Sequence, residues 1–283
     1  MRTASRADLP SLAALFARAN DAPYDLAVVA EEKCFEAGVG GEAITRVIER
    51  DGRIAGAAVT CGKWLRVLAV DREHRSQGIG SALLADAESR GALSIFAEPG
   101  NYFTPGVLST DAQLIAFLRN RGYVETRSTN NLDAPLAALP SADNVQRATH
   151  DDAPRLLAFV EQHFGRIWRF EAARAFDREL PTFFYVEEAG AIAGFAVHDA
   201  NNRGLACFGP TGVAEAMRGR GHGRHLLLAS LAALRDLGHT NAVIPWTDAL
   251  DFYRKSCGAT VAHRFLTFAK QTEWRESRRP DSV

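Results

Sequence analysis

Arg75-Ser76-Gln77-Gly78-Ile79-Gly80 follows the apolar run Val67-Leu68-Ala69-Val70 and leads into residues 81–90, which have helical periodicity. The order is strand, glycine turn, helix. Two glycines one residue apart at a helix mouth let the backbone approach a ligand and aim unpaired N–H groups at it, while the helix dipole adds partial positive charge. A phosphate or diphosphate suits such a turn. The same R-x-x-G-x-G spacing returns at Arg218-Gly219-Arg220-Gly221-His222-Gly223, after the stretch 208–213 and before a second apolar helix. One plan is used twice in this chain.

The repeat extends outward from the two turns. Residues 3–20 carry a helical stripe of Leu12, Leu15, Phe16 and Ala19, with Pro10 in a first-turn position, and residues 149–163 repeat it with Pro154 and Leu156 at a spacing of 144. A hairpin follows in each half, turning at Asp51-Gly52 and at Ala189-Gly190, with Gly56/Gly194 and Val59/Val197 spaced by 138. At Val70/Val213, Gly78/Gly221 and Leu83/Leu226 the spacing becomes 143, so five extra residues are expected in the polar stretch 198–204. Strands are expected at 93–97 and 241–245 and further helices at 112–121 and 249–256. Each half thus reads helix, hairpin, strand, glycine turn, helix, strand, helix. Pro135, Pro140 and small residues make 133–143 the most linker-like stretch. The expected partition is residues 1–138, residues 145–270, and a polar tail at 271–283.

Bulk composition sets limits on the rest. The chain has 283 residues, 47% hydrophobic and 24% charged, which is globular composition and enough length for two cores. A formal net charge of −1 leaves no global basic field for nucleic acid. Cys34, Cys61, Cys207 and Cys257 lack C-x-x-C or zinc spacing, no metal site is expected, and no apolar run reaches the length of a membrane helix. The reading is a reduced, cytoplasmic protein away from the membrane, a monomer or homodimer.

Three ligand classes compete for the turns. A dinucleotide site needs a third glycine where Leu83 and Leu226 stand, and Glu98 supplies a ribose-binding acid in the first half only. A P-loop needs Gly-Lys-Ser/Thr, absent after both turns. The third class is the diphosphate of coenzyme A. Here the strand, R-x-x-G-x-G turn and helix, the hairpin before them, and the later Phe252-Tyr253 segment with Gly258 resemble the GNAT N-acetyltransferase superfamily, present twice. The resemblance spans nearly the whole chain. It implies a mixed α/β fold of two tandem acyl-CoA N-acyltransferase domains.

By that resemblance, the amides of Gln77, Gly78, Ile79 and Gly80, and those of Arg220, Gly221, His222 and Gly223 after Gly219, hold the diphosphate of acetyl-CoA. Strand ends at Val70 and Val213 pair with the pantetheine amides. Arg75, Arg218 and Arg220 either add charge to the phosphates or stand as solvated first-turn cations; with Arg224 they make the second turn the tighter expected site. Transfer to an amine needs an acid for the departing thiolate. In the resembled family a tyrosine on the last core helix often serves, and Tyr253 matches it, whereas the first half has Phe117-Leu118. That contrast points to the second domain for transfer and to the first for binding. Four residues rather than the family's three separate Tyr253 from Gly258, so a rotated helix and a packing role for Tyr253 stay open. Asp248 reads as a helix cap rather than a base, His222 and His225 as surface side chains, and Trp168, Phe170 and Trp246 as acceptor-pocket or core aromatics. The expected activity is acetyl transfer from acetyl-CoA to a primary amine of a small molecule or peptide. The rival is a non-catalytic acyl-CoA-binding or scaffold protein.

Overall fold

The computed structural model describes residues 1–19 and 21–271; the end of the first expected helix at Asn20 and nearly all of the expected tail lie outside the described residues. In chain order the elements are β1 (Arg2–Thr3), α1 (Leu9–Ala19), α2 (Ala30–Phe35), β2 (Ile44–Arg50), β3 (Arg53–Cys61), β4 (Trp64–Val70), α3 (Ile79–Ser89), β5 (Ser94–Ile95), β6 (Val107–Leu108), α4 (Ala112–Arg119) and β7 (Tyr123–Pro135). They continue with β8 (Gln146–Arg147), α5 (Ala153–Phe164), α6 (Arg166–Ala173), β9 (Phe183–Glu188), β10 (Ala191–His198), β11 (Phe208–Val213), α7 (His222–Asp236), β12 (Asn241–Thr247), α8 (Leu250–Cys257) and β13 (Thr260–Lys270). Among the described residues no helix is long and apolar enough to cross a membrane.

Two compact units emerge, residues 1–129 joined by residues 263–271, and Asn130–Ala262. In the first unit the strands run β1-β2-β3-β4-β5-β13-β7, antiparallel at β2/β3 and β3/β4 and parallel at β4/β5. β13 therefore enters this sheet from the far end of the sequence. In the second unit β8 to β11 form an antiparallel sheet, and β12 pairs with the distal part of β7, Val243 opposite Asp133. Residues 133–135, expected as linker, are thus sheet. The reason is a period of two: Leu132, Ala134 and Leu136 are all buried beside Phe184, Leu231 and Ile244.

Local chemistry explains why the halves match. Each first helix is preceded by a capping box, with the Ser5 amide donating to Asp8 at 2.8 Å and the Thr149 amide donating to Asp152 at 2.8 Å. Leu12, Leu15 and Phe16 of α1, and Leu156 and Val160 of α5, are fully buried. Both hairpins turn on two residues with positive φ, Asp51-Gly52 and Ala189-Gly190, whose twist suits paired strands. On the returning strands Gly56 and Gly194 let the glycine-turn helices sit close. A Cβ on Gly56 would stand 2.5 Å from Ile79 Cγ2, and one on Gly194 would stand 3.1 Å from Leu226 Cδ1. The extra residues of the second half lie in the β10–β11 connection at 199–207, where the first half needs only Gly62 and Lys63.

Candidate functional site

In the first unit, β4 and β5 pair only at Trp64/Ser94 and Leu65/Ile95 and then part. A bulge drives the separation. Val59 faces Val67 while Thr60 faces Leu65, so Arg66 is left over, and Phe96 at φ 62 turns β5 away. The edge of β4 from Arg66 to Val70 therefore faces a fork without a strand partner. A cavity of about 530 Å³ occupies that fork, lined by this edge, by Ser76, Gly78, Gly80 and Ser81 of the turn, by Phe96 and Phe103, and by Phe117 and Arg121 from α4 and its C-terminal end. Phe265 of β13 also lines it.

The turn at the cavity mouth has the geometry that its glycines permit. Ser76 at φ 61 and Gly78 at φ 85 are left-handed, and Gly78 caps α3 without any side-chain bond. Among the described residues the amides of Gln77, Gly78, Ile79 and Gly80 find no acceptor in the protein. Four donors are thus left open at a helix N-terminus whose Gly78, Gly80 and Ser81 line the cavity. Gly80 packs against the end of β4 and α4: a Cβ there would lie 3.5 Å from Val70 Cγ2 and 3.8 Å from Phe117 Cζ.

The second unit repeats this geometry. Gly219 at φ 80 and Gly221 at φ 86 take the left-handed positions, and a Cβ on Gly223 would lie 3.6 Å from Val213 Cγ2 and 3.7 Å from Phe252 Cζ. Phe252 thereby corresponds to Phe117, and Tyr253 to Leu118. The additional residue before Gly258 is absorbed at the end of α8, which runs on to Cys257, whereas α4 stops at Arg119. Just before β11, Cys207 bridges Val243 of β12 in parallel, with the Val243 amide donating to the Ala206 carbonyl at 2.9 Å, and among the described residues β11 and β12 share no ladder beyond it.

Tyr253 is 7% exposed and edge-on to Phe208 of β11 at 6.2 Å, with Thr247 at the end of β12 nearby. Burial pushes its phenol up to about 12. Asp248 is not the cap of α8: Ala249 holds that position, and its amide donates to Thr247 Oγ1 at 3.1 Å. Trp168 stacks on Phe164 at 5.3 Å, and the Phe164 ring covers Gly212 of β11, where a Cβ would collide with it.

Two of the arginines differ from the expectation that they charge the second turn, whereas Arg224 stands in the first turn of α7. Arg75 and Arg218 play one structural part, each Nε donating at 3.3 Å to the carbonyl ending the preceding strand, Val70 or Val213. Arg75 also donates to the Ala19 carbonyl at 2.8 Å and pairs with Asp21. Arg220 pairs with Glu188, which also holds His222 Nε2 at 2.6 Å and whose carboxyl is kept below its ordinary range mainly by that histidine. An internal carboxylate thus already engages the side chains beside the second turn.

Sequence reasoning missed a buried ionic cluster behind the first fork. Arg66 is 1% exposed and grips Glu98 with two bonds, 2.6 and 3.0 Å, while its other arm donates to the carbonyls of Lys33 and Glu36. Lys33, itself buried, donates to Glu32 at 2.7 Å and to Asn101 at 3.0 Å. Glu98 is therefore a structural counter-ion at the bulge, and the ribose role considered for it has no place here. The lone arginine between apolar residues of β4 was the available signal.

Residues 146–259 match the profile of the acetyltransferase (GNAT) family, and residues 41–125 match that of an acetyltransferase (GNAT) domain. Solved structures share the fold. A GCN5-related N-acetyltransferase from Sphaerobacter thermophilus superposes with a TM-score of 0.67 at 19% identity, over 94% of this chain and 93% of that one. A tandem GNAT protein from the clavulanic acid biosynthesis pathway gives 0.64 at 16% identity, over 93% and 94%. A glucosamine N-acetyltransferase region of a fungal multi-domain GH3 β-N-acetylglucosaminidase gives 0.72 at 18% identity, over 94% of this chain, which spans only 37% of that protein. No curated protein matches the sequence. With both halves matched and the forked sheet and glycine turn built twice, the chain belongs to the GNAT acetyltransferase family as a tandem two-domain member.

Proposed function

We propose that this protein is an acetyl-CoA-dependent N-acetyltransferase acting on a primary amine of a small molecule or peptide. Membership of the family brings acyl transfer from an acyl-CoA. One observation supports the finer reading: unpaired turn amides stand at the mouth of a fork whose strand edge is open to a pantetheine chain. In this reading Gln77, Gly78, Ile79 and Gly80 bind the diphosphate in the first unit and Val70 guides the pantetheine. Arg220, Gly221, His222 and Gly223 do so in the second unit, beyond Val213. Arg75, Arg218 and Gly219 shape the turns. Tyr253 donates the proton to the leaving thiolate in the second unit, and the first unit, with Leu118 in that place, binds without a phenol.

The test is amine-dependent release of free CoA thiol from acetyl-CoA across a panel of primary amines. Binding of acetyl-CoA without turnover on every amine would instead support the non-catalytic rival. Because Arg218 and Arg220 are engaged within the second unit, we expect the first turn to be the tighter site. Gly80→Glu puts a carboxylate at the diphosphate position, a like-charge clash worth roughly 100-fold in affinity. Calorimetric titration should show the tighter binding step lost in Gly80→Glu and kept in Gly223→Glu. The reverse pattern would place the tighter site in the second unit.

A further inference from the structure

We infer that Arg121 is the cation that matches the diphosphate in the first unit and makes this site select coenzyme A thioesters over phosphate-free pantetheine thioesters. The inference deepens the acyl-CoA reading above and rests on it. Arg121 lines the cavity just past the C-terminal end of α4. Its guanidinium is held by three contacts. Nη1 donates to the Phe117 carbonyl at 2.9 Å, Nη2 donates to Ser81 Oγ at 2.6 Å, and the group lies over the Phe117 ring at 3.7 Å from the centroid.

Ser81 belongs to the first turn of α3, so this cation is fixed beside the same helix mouth that presents the free amides. The C-terminal end of α4 and its Phe117 carbonyl hold the cation in place, while the positive end of α3 beside it adds to the field that an anion would meet. The nearby arginines are already compensated: Arg72 and Arg75 both pair with Asp21, and Arg18 pairs with Asp71. Among the described residues no carboxylate pairs with Arg121. A guanidinium has five N–H groups, and the two bonds above leave three for a ligand.

Such an arrangement suits a phosphate oxygen, which accepts from a planar fork better than from a point charge. The stacking on Phe117 fixes the side chain before binding, so little rotamer freedom remains to be lost. The second unit places its cation differently, as Arg224 in the first turn of α7. Its helix α8 ends in Ser256-Cys257 before Gly258, with no arginine at the matching place.

The experiment measures binding of acetyl-CoA and of S-acetylpantetheine by calorimetry for the wild-type chain, Arg121→Gln and Arg121→Lys. Arg121→Gln should weaken acetyl-CoA at the tighter site by about 10- to 100-fold, the range for a hydrogen-bonded charge contact. S-Acetylpantetheine should be unaffected, and Arg121→Lys should fall between wild type and glutamine. Equal acetyl-CoA affinity in wild type and Arg121→Gln overturns the assignment alone. Equal losses for both ligands overturn it too, since Arg121 would then only support the fold of the cavity wall. A wild-type chain that binds no acetyl-CoA overturns both the assignment and the reading beneath it.

Discussion

Glu98→Gln should destabilise the first unit by about 3–5 kcal/mol, the usual cost of removing one partner from a buried ion pair. The amide keeps the size of the carboxylate but leaves the Arg66 guanidinium uncompensated, and both side chains are at most 1% exposed. Arg66 could not recover by turning to water, because its second arm is bound to the Lys33 and Glu36 carbonyls at the end of α2. The effect should be local first. Hydrogen exchange read by mass spectrometry should show lost protection across β3 and β4, whose bulge Arg66 occupies, and denaturant unfolding of this unit should shift to lower concentration. A joint Arg66→Met, Glu98→Leu chain should lose less than Glu98→Gln does, since neither charge is then stranded. A cost below about 1 kcal/mol for Glu98→Gln would mean that water reaches the pair and that the bulge is held by backbone pairing alone.

The sequence shows the parts of this fold that are specified locally. The glycine turns and the two-residue hairpin turns are each written in a few adjacent residues and form as expected, and the Ser5/Asp8 and Thr149/Asp152 capping boxes that the structure adds are equally local. Strand exchange is different. That β13 completes the first sheet, and that β7 runs on to pair with β12, depends on contacts distant along the chain, and residues 133–135 have turn-like composition despite their alternating burial. Side-chain pairing was equally hidden. For Arg220 the sequence offers a phosphate cation or a solvated side chain, and nothing in the order of residues says that Glu188, at the end of a strand before a turn, reaches it.

Tyr253→Phe should lower turnover by about 10²- to 10⁴-fold, the contribution of a well-placed acid, while acetyl-CoA affinity stays nearly unchanged. The expectation rests on where the phenol stands. Its ring packs edge-on against Phe208 on one arm of the fork and it stands near Thr247 at the end of the other, so a thioester drawn between β11 and β12 would arrive beside it. At about 12 the phenol holds its proton throughout the neutral range, and apolar burial is the main cause. A thiolate leaving into the same surroundings suffers the same penalty, which raises its own affinity for a proton and keeps the two groups matched. Phenylalanine keeps the packing and removes only the proton, so the change should appear in kcat rather than in binding. Thr247→Val is the companion variant: it removes the neighbouring hydroxyl and should cost far less, because the phenol keeps its proton. The measurement is steady-state thiol release with an amine that turns over, under conditions where chemistry limits the rate. Wild-type turnover in Tyr253→Phe would make Tyr253 a core residue and assign protonation of the thiolate to water. Damage then confined to Tyr253→Ala, through loss of stability, would complete that case.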